Sequence, residues 1–270
     1  MPDHPGTERA RPSRHERYDP AHYVRVSRSE SRHFWFRMRT RIIRGLLERL
    51  EPELPEDPVL EVGCGTGSML RSILPVLGGR QVIGMDFNPE GLARARQAGP
   101  AASLVAGDAS ALPLRGRFSL IMLLDVLEHV EKHAELVGRL AGYLAGDGLL
   151  MITVPACQWL WSGFDEASGH LRRYHRREIA DLLMASGLEI RYLSYFMATT
   201  FPLLAAKRLL SRLRRLPPER SCTGDLRVVP GLNGLLLLAG LPECWLAERG
   251  LRLPLGSSIM GVAARPSGAS

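Results

Sequence analysis

The chain has 270 residues, 45% of them hydrophobic, so it is long enough to bury a substantial core within one large domain or a domain with an appendage. Its formal charge of +7 keeps nucleic acid and anionic membrane surfaces among the candidate partners. Charge alone favours neither, because nearly all basic residues are arginine, a bias that a GC-rich genome also produces. The four cysteines are too widely spaced for a zinc site or a disulfide-dense scaffold, and no apolar stretch reaches the roughly 18 residues of a spanning helix.

An N-terminal arm, residues 1–32, is the first predicted segment. It is rich in Pro, Arg, His and Glu and lacks the apolar core of a secretory signal, so we expect it to be mobile. Residues 33–57 form a predicted helical cap, because apolar residues recur at helical spacing through residue 50 while arginines occupy the other faces. Prolines then end the helical pattern before an apolar run begins.

Short β-like runs alternate with helical segments from residue 58 to residue 195. Strands are predicted at residues 59–62, 81–85, 102–105, 120–124, 149–154 and 189–195. Helices are predicted at residues 68–76, 90–97, 134–145 and 177–185. Alternation of this kind indicates an α/β fold with a mostly parallel sheet and helices on both faces.

The alternation stops after residue 195. Residues 196–256 hold two apolar helical stretches separated by a Pro-rich and Arg-rich joint, which we interpret as a helical insert. Residues 257–265 then return as one closing strand of the sheet, and residues 266–270 form a short tail.

Three glycines, Gly63, Gly65 and Gly67, alternate where the first strand is predicted to end and a helix to begin. Residues without a Cβ let the chain turn sharply and let a ligand approach the backbone, and the amides of the following helix face that ligand. The next strand ends in Asp86, whose carboxylate is placed to accept two hydrogen bonds from a ribose diol. The pattern indicates a nucleoside-binding site.

A dinucleotide-binding dehydrogenase is the alternative with the same local geometry. Its fingerprint requires Gly or Ala three residues after the second glycine, and Ser68 occupies that position. Glu61 also disfavours a pyrophosphate, because like charges repel, whereas a carboxylate attracts the ammonium end of a cationic methionine moiety. Charge therefore favours a sulfonium nucleoside.

The stretch Glu61-Val-Gly-Cys-Gly-Thr-Gly67 resembles the first motif of the class I S-adenosylmethionine-dependent methyltransferases. Residues 33–37 and 158–174 are similar to a bacterial subgroup of these enzymes that acts on small molecules. Residues 107–109 are similar to the segment that receives the adenine, and residues 118–130 and 148–155 are similar to the fourth and fifth strands. The resemblance implies a Rossmann-like, seven-stranded sheet and S-adenosylmethionine as methyl donor. The cofactor-binding residues that it implies are Glu61, Gly63, Cys64, Gly65, Gly67, Asp86, Phe87, Asp108, Ala109 and Leu124.

His129 is the candidate catalytic base for an acceptor with a labile proton, because it follows the fourth strand and imidazole titrates near neutrality. The alternative is that it caps or packs the next helix. Residues 125–129 also resemble the Glu-x-x-Glu-His pattern of metal-assisted methyltransferases, with Asp125 in place of the first glutamate and His133 four residues after His129. Because a histidine pair at this spacing usually lies at the surface, we expect no metal.

The acceptor side is predicted in residues 158–174, which follow the fifth strand and hold two tryptophans, Phe164, Asp165, His170 and Tyr174. Ligands bind outside the carboxyl ends of such strands, so these aromatic residues either wall an acceptor pocket or cover the sheet edge. We expect a small-molecule or lipid-linked acceptor. The alternatives are an RNA or other nucleic-acid methyltransferase and a non-catalytic S-adenosylmethionine-binding protein. Nucleic acid is disfavoured, because no Asn/Asp-Pro-Pro-aromatic tetrad follows the fourth strand.

A basic amphipathic stretch at residues 207–216 could place residues 196–216 on an anionic bilayer, giving the protein a peripheral membrane contact. Charged stretches of this kind are more often solvated helix faces. The cysteine usage favours a reducing, cytoplasmic location, with the membrane surface as the alternative position. The sequence does not predict the oligomeric state.

Overall fold

A computed structural model describes residues 20–99, 101–109, 111, 115–213 and 229–266. Most of the predicted arm, the joint of the insert and the tail therefore lie outside the described residues. The described strands form one sheet: β1 (Val59–Val62), β2 (Val82–Asp86), β3 (Ser103–Ala106), β4 (Phe118–Leu124), β5 (Leu144–Pro155), β6 (Glu189–Phe196) and β7 (Ser258–Ala264).

The strand order is β3-β2-β1-β4-β5-β7-β6, with β7 antiparallel to both of its neighbours and the other pairs parallel. The predicted Rossmann-like, seven-stranded, mostly parallel sheet is confirmed. The order reverses between β1 and β4, because the chain builds outwards to β2 and β3 on one side and to β5 on the other. Open α/β sheets bind ligands outside the carboxyl ends of the strands at such a reversal. The topology therefore predicts a ligand site at the loops after β1 and β4.

Helices cover both faces of the sheet. They are α1 (Pro20–Ser29), α2 (Phe34–Leu50), α3 (Ser68–Ile73), α4 (Pro89–Gln97), α5 (His133–Tyr143), α6 (Gly163–Ala167), α7 (Arg176–Ala185), α8 (Phe201–Leu213), α9 (Pro230–Ala239) and α10 (Leu241–Glu248). Alternate strand residues enter two separate cores, as the two-residue period of a strand requires. Leu120 and Met122 pack with α2 and α3, whereas Ile121 and Leu123 pack with α5 and α7.

Helix α2 confirms the predicted cap and begins one residue later than expected, with His33 as its N-cap. The Nδ1 atom of His33 accepts a hydrogen bond from the backbone of Trp35 at 3.3 Å. Asn233 of α9 secures the same end, because its Oδ1 accepts from the Phe34 amide at 2.7 Å and its Nδ2 donates to the Arg32 carbonyl at 3.1 Å. The insert thus packs against the cap.

Residues 20–32 differ from the predicted arm, because they begin with helix α1. The segment is poor in apolar residues, so its sequence alone gave no sign of packing. In the structure, residues 24–27 are half-buried and Glu30 lies over the loop after β1, where its Oε2 accepts a hydrogen bond from Thr66 at 2.6 Å. Tertiary contacts, rather than local pattern, order these residues.

The described part of the insert contains three helices where two were predicted. The run from residue 230 to residue 248 breaks at Gly240, and Pro242 stands in the first turn of α10, where a missing amide is tolerated. Strand β5 also begins earlier than expected, since Leu144 is already extended and pairs with Phe118. In the part of the chain that the structure describes, no helix is both long and apolar enough to cross a bilayer.

Candidate active site

The loop after β1, residues 63–67, turns through three glycines that all adopt positive φ, namely 79° at Gly63, 53° at Gly65 and 69° at Gly67. Other L-residues rarely adopt this conformation. At Gly63 there is also no room, because a Cβ would lie 2.5 Å from Val126 Cγ2. The amides of Gly63 and Cys64 donate to the Met85 carbonyl at 2.7 and 3.0 Å, which holds the loop against the end of β2.

Asp86, at the end of β2, holds the same loop through its side chain. Its Oδ2 accepts from the Gly65 amide at 2.8 Å and its Oδ1 accepts from the Asn88 amide at 2.8 Å. The carboxylate is 7% exposed. The amide of Gly107 donates to the Asp86 carbonyl at 3.0 Å, which brings the predicted adenine-binding residue Asp108 next to the end of β2.

Glu61 is a buried carboxylate at the centre of β1, with 2% of its surface exposed. Its Oε2 has no hydrogen-bond partner among the described residues. The pKa of Glu61 is raised to about 8, chiefly by burial and additionally by the nearby carboxylates of Asp86 and Glu30, while the positive charge of Arg39 opposes the shift. A buried acid without a partner is costly unless a cation compensates it, so this position is suited to a positively charged group.

Arg39 of α2 supplies the positive charge that the protein itself places here. Its Nε lies 2.8 Å from Asp125 Oδ2, and Asp125 Oδ1 accepts from Thr153 Oγ1 at 3.1 Å. Asp125 follows β4 directly and adopts a positive φ of 59°, a conformation that Asp tolerates better than most residues and that clusters at functional sites. Arg39 had no distinguishing sequence signal, because it stands in a run of arginines on α2.

These groups enclose a cavity of about 170 Å³, which we call the cofactor cavity. Its lining residues are Glu30, Phe36, Arg39, Thr40, Glu61, Gly63, Cys64, Gly65, Ser68, Met69, Leu124 and Asp125. Five predicted cofactor residues are therefore in the lining: Glu61, Gly63, Cys64, Gly65 and Leu124. The other five, Gly67, Asp86, Phe87, Asp108 and Ala109, lie outside it. Sequence reasoning missed the four lining residues that α2 and the end of the arm contribute.

The candidate base His129 ends a short 3-10 turn after β4 and is not in the lining of the cofactor cavity. Its Nδ1 lies 3.3 Å from the Gly169 carbonyl oxygen, and its ring stands 4.9 Å from the ring of His170 in a T-shaped arrangement. His133, which the sequence analysis paired with His129, instead lies with its Nδ1 3.0 Å from the hydroxyl oxygen of Tyr174. The structure therefore brings His129 together with His170 and not with His133.

Residues 158–174, which we call the acceptor loop, are fastened by Asp165. This carboxylate is completely buried and accepts two hydrogen bonds from the Arg173 guanidinium, both at 2.9 Å, and one from the Ser162 amide at 2.9 Å. His170 Nδ1 lies 2.8 Å from Asp165 Oδ1. Burial would raise the pKa of Asp165, but the hydrogen bonds and charges of His170 and Arg173 outweigh burial and lower it to about 2.

The aromatic residues of the acceptor loop differ in their exposure. Trp159 is exposed, and its ring meets that of Phe201 at the start of α8 at 5.8 Å in a T-shaped contact. Tyr174 is buried and donates from its hydroxyl to the Leu127 carbonyl at 3.1 Å. The loop is thus tied both to the turn after β4 and to the insert, and its interpretation as a wall for the acceptor stays a prediction.

Known proteins resemble the chain over its central part. The family model described as "Methyltransferase domain" matches residues 34–193. A "probable S-adenosylmethionine-dependent methyltransferase" of Mycobacterium tuberculosis is 31% identical over 157 residues, which are 57% of this chain and 55% of that protein. The trans-aconitate 2-methyltransferase of Rhizobium meliloti is 32% identical over 117 residues, 43% of this chain and 45% of that protein. The chain spans about half the length of the curated relatives it matches.

Solved structures share the fold over most of the chain. The plantazolicin methyltransferase BpumL in complex with SAH matches with a TM-score of 0.59 at 15% identity, covering 92% of this chain and 91% of that one. Phosphoethanolamine N-methyltransferase 2 of Haemonchus contortus in complex with S-adenosyl-L-methionine matches with a TM-score of 0.54 at 16% identity, covering 82% of this chain and 51% of that one. At these identities the likeness concerns the fold.

Proposed function

The chain belongs to the class I S-adenosylmethionine-dependent methyltransferases, and we propose that it transfers the methyl group of that cofactor to a small-molecule acceptor by direct displacement. The observation that carries the proposal is the buried Glu61, whose Oε2 has no partner among the described residues and lines the cofactor cavity beside the glycine loop. A ligand with a cationic end offsets the cost of that buried acid.

The cofactor would extend across the carboxyl ends of β1, β2 and β4. Its ammonium group would pair with Glu61, its ribose hydroxyls would donate to Asp86, and its adenine would lie beside Asp108. The cofactor cavity, at about 170 Å³, is smaller than the roughly 300–1,000 Å³ of a whole ligand site, so it suits the methionine end. The sulfonium would then lie near Leu124 and Asp125.

Methyl transfer requires the protein mainly to align the reacting groups, because the sulfonium donor is already activated. The enzyme holds acceptor, methyl group and sulfur in line and excludes water. An acceptor with a labile proton also needs a group that removes it. His129 is our sequence-based candidate for that base, and its place at the end of the 3-10 turn that follows β4 and Asp125 supports it.

A small molecule is the acceptor that the relatives favour, because those named trans-aconitate 2-methyltransferase act, by their names, on a small molecule. We would incubate the purified protein with methyl-labelled S-adenosylmethionine and a cell extract, then separate lipids, nucleic acids and small molecules. Label should appear in the small-molecule fraction. Label in nucleic acid alone would refute the proposal, and binding without any transfer would indicate a storage protein.

Glu61→Gln should remove most of the pH dependence of cofactor affinity between pH 6 and pH 8.5. The pKa of Glu61 is raised to about 8, so this side chain gains its charge, and its attraction for an ammonium, as the pH rises through 8. Wild-type affinity should therefore fall by up to about tenfold per pH unit below 8. Calorimetry at several pH values checks this. Parallel pH profiles would contradict the role of Glu61.

The same substitution has a second consequence for the protein without cofactor. The pKa of Glu61 is raised from 4.5 to about 8 in the folded protein. Its protonated carboxyl therefore contributes stability that is fully present below pH 4.5 and is lost as the pH rises through about 8. Glu61→Gln should therefore unfold at a higher temperature than wild type at pH 9, and the difference should shrink toward pH 5.

A lipid-linked acceptor is the second candidate, and the exposed leucines of the insert favour it. Residues 196–256 contain nine basic and four acidic residues, so they carry +5 of the chain's net +7. Leu235 and Leu238 of α9 are 62% and 65% exposed, and α8 also exposes leucines on its surface. Exposed leucines with a net positive charge suit an anionic bilayer. Arg212, Arg214 and Arg215 of the predicted basic stretch lie outside the residues whose side chains are described.

Leu235→Gln combined with Leu238→Gln should reduce co-sedimentation with phosphatidylglycerol-containing liposomes at least about threefold. Each substitution removes apolar area that would otherwise leave water. Met184→Gln, at a residue that is 55% exposed on α7, is the matched control and should bind like wild type. Equal binding by all three proteins would remove the membrane from the proposal. If the wild type bound neutral and anionic liposomes equally, the net positive charge of the insert would have no role in that binding.

A further inference from the structure

A second cluster of potential ligands lies beside the cofactor cavity and is not used by the cofactor. A carboxylate oxygen of Glu128 and one ring nitrogen each of His129 and His170 all lie within 4.8 Å of one another. Glu128 is completely buried, and neither of its side-chain oxygens has a hydrogen-bond partner among the described residues. Burying a carboxylate without a hydrogen-bond partner is costly, and a cation bound beside Glu128 would offset that cost.

Both histidines are oriented by partners on one ring nitrogen. His170 Nδ1 lies 2.8 Å from Asp165 Oδ1, and the Asp165 carboxylate is itself held by two hydrogen bonds from Arg173. His129 Nδ1 lies 3.3 Å from the Gly169 carbonyl oxygen. Histidines that bind metal ions usually donate their other ring N–H to a carboxylate or a backbone carbonyl, which fixes the tautomer. With Nδ1 protonated, the lone pair of His170 is on Nε2.

The distances suit a small ion. His170 Nε2 lies 3.9 Å from Glu128 Oε1. Two ligands at bond lengths of roughly 2.0–2.2 Å stand about 3.0–3.5 Å apart in octahedral or tetrahedral geometry. Side-chain shifts of about an ångström would therefore bring these atoms to bonding distance.

We propose that Glu128, His129 and His170 bind one divalent transition-metal ion. Two imidazoles and one carboxylate are the donor set of zinc and of non-haem iron sites with open positions, and imidazole disfavours magnesium and calcium. Asp165 and the Gly169 carbonyl act as positioning groups for the two histidines. The remaining coordination positions are left to solvent or to an oxygen of the acceptor.

The ion would lie next to the methyl-transfer site, because Glu128 is close enough to Asp125, a lining residue of the cofactor cavity, to interact electrostatically with it. Bound to an acceptor oxygen, it would favour loss of the acceptor's proton. This role rests on the proposed function, whereas ion binding itself does not. It also reassigns His129, since an imidazole that gives its lone pair to a metal cannot accept a proton.

The sequence alone predicts no metal, because the histidine at helical spacing from His129 is His133. His133 pairs with Tyr174, and the residue that takes its place is His170, far along the chain in the acceptor loop. The fold makes the cluster by tying that loop to the turn after β4, where the Leu171 amide donates to the Glu128 carbonyl at 2.8 Å.

The test is a titration of the untagged, chelator-treated full chain with Co²⁺, followed by visible absorption. We expect wild type to bind one equivalent with a dissociation constant below about 10 µM and to show d–d bands of a nitrogen and oxygen site. Glu128→Gln and His170→Gln should each weaken binding at least tenfold. His133→Gln, the matched control, should bind like wild type.

Thermal unfolding and S-adenosylmethionine binding of each variant show whether it is folded, and a variant that fails both is replaced by His129→Gln. Wild type that binds no Co²⁺ below about 100 µM would overturn the proposal, as would binding that survives both Glu128→Gln and His170→Gln. Loss of Co²⁺ binding with cofactor binding intact separates this inference from the proposed function, because failure of the proposed function would show as loss of cofactor binding in wild type.

Discussion

Replacing Asp86 with alanine should weaken binding of S-adenosylmethionine at least about 100-fold, which corresponds to roughly 2.7 kcal/mol. Two hydrogen bonds from the ribose to a carboxylate contribute roughly 1.5–3 kcal/mol each. The substitution also releases the amides of Gly65 and Asn88, which the carboxylate now holds at 2.8 Å. The glycine loop then loses its alignment with the cofactor. Calorimetric titration with the cofactor measures the change directly.

Asp181→Ala is the matched control for this prediction, because Asp181 is an exposed carboxylate on α7, outside the lining of the cofactor cavity. It should bind the cofactor like wild type. Thermal unfolding of Asp86→Ala separates lost binding from a lost fold, since Asp86 also anchors backbone. Tight binding by Asp86→Ala would refute the assignment of the ribose site.

The parts that could be predicted from the sequence are those in which local pattern and fold agree. The alternation of strands and helices predicted the sheet, because β1, β2, β4 and β5 are largely buried apolar runs that the sequence pattern reveals. Gly63 and Asp86 could be identified as site residues because each stands at a fixed place relative to a strand end. In the structure the Asp86 carboxylate accepts from the Gly65 amide, and the Gly63 amide donates to the Met85 carbonyl.

The parts that could not be predicted depend on contacts between distant segments. Arg39 is one arginine among several on α2, and only its 2.8 Å approach to Asp125 distinguishes it. Glu30 belongs to a segment with little apolar character, and it joins the site because Thr66 donates to it. His170 is separated from Glu128 by α5, β5 and α6, and no local spacing links the two residues. Each of these is a charged or polar residue whose role is set by what the fold places beside it.

Arg39→Met should lower the free energy of unfolding by about 2–3 kcal/mol at pH 8. Removing one partner of a fully buried ion pair costs roughly 3–5 kcal/mol, and we expect less because the side chain of Asp125 is 24% exposed. The positive charge of Arg39 also acts on three further acids, since it lowers the pKa values of Glu61, Glu128 and Glu30 against the effect of their burial. Methionine keeps the volume of the side chain and removes the charge.

The loss of stability in Arg39→Met should grow as the pH rises, and this pH dependence would show that the cause is the missing positive charge. The folded pKa values of Glu30, Glu61 and Glu128 are raised above 4.5, so each acid destabilises the fold as the pH rises toward its folded value. Without Arg39 those pKa values rise further, so the variant loses more stability between pH 5 and pH 9 than wild type does. Urea unfolding at pH 5.5 and pH 8.5 measures this, with Arg37→Met, at an exposed arginine of the same helix, as the control. A deficit that is equal at both pH values would mean that Arg39 acts through packing, and a deficit equal to that of Arg37→Met would mean that its position among the acids is irrelevant.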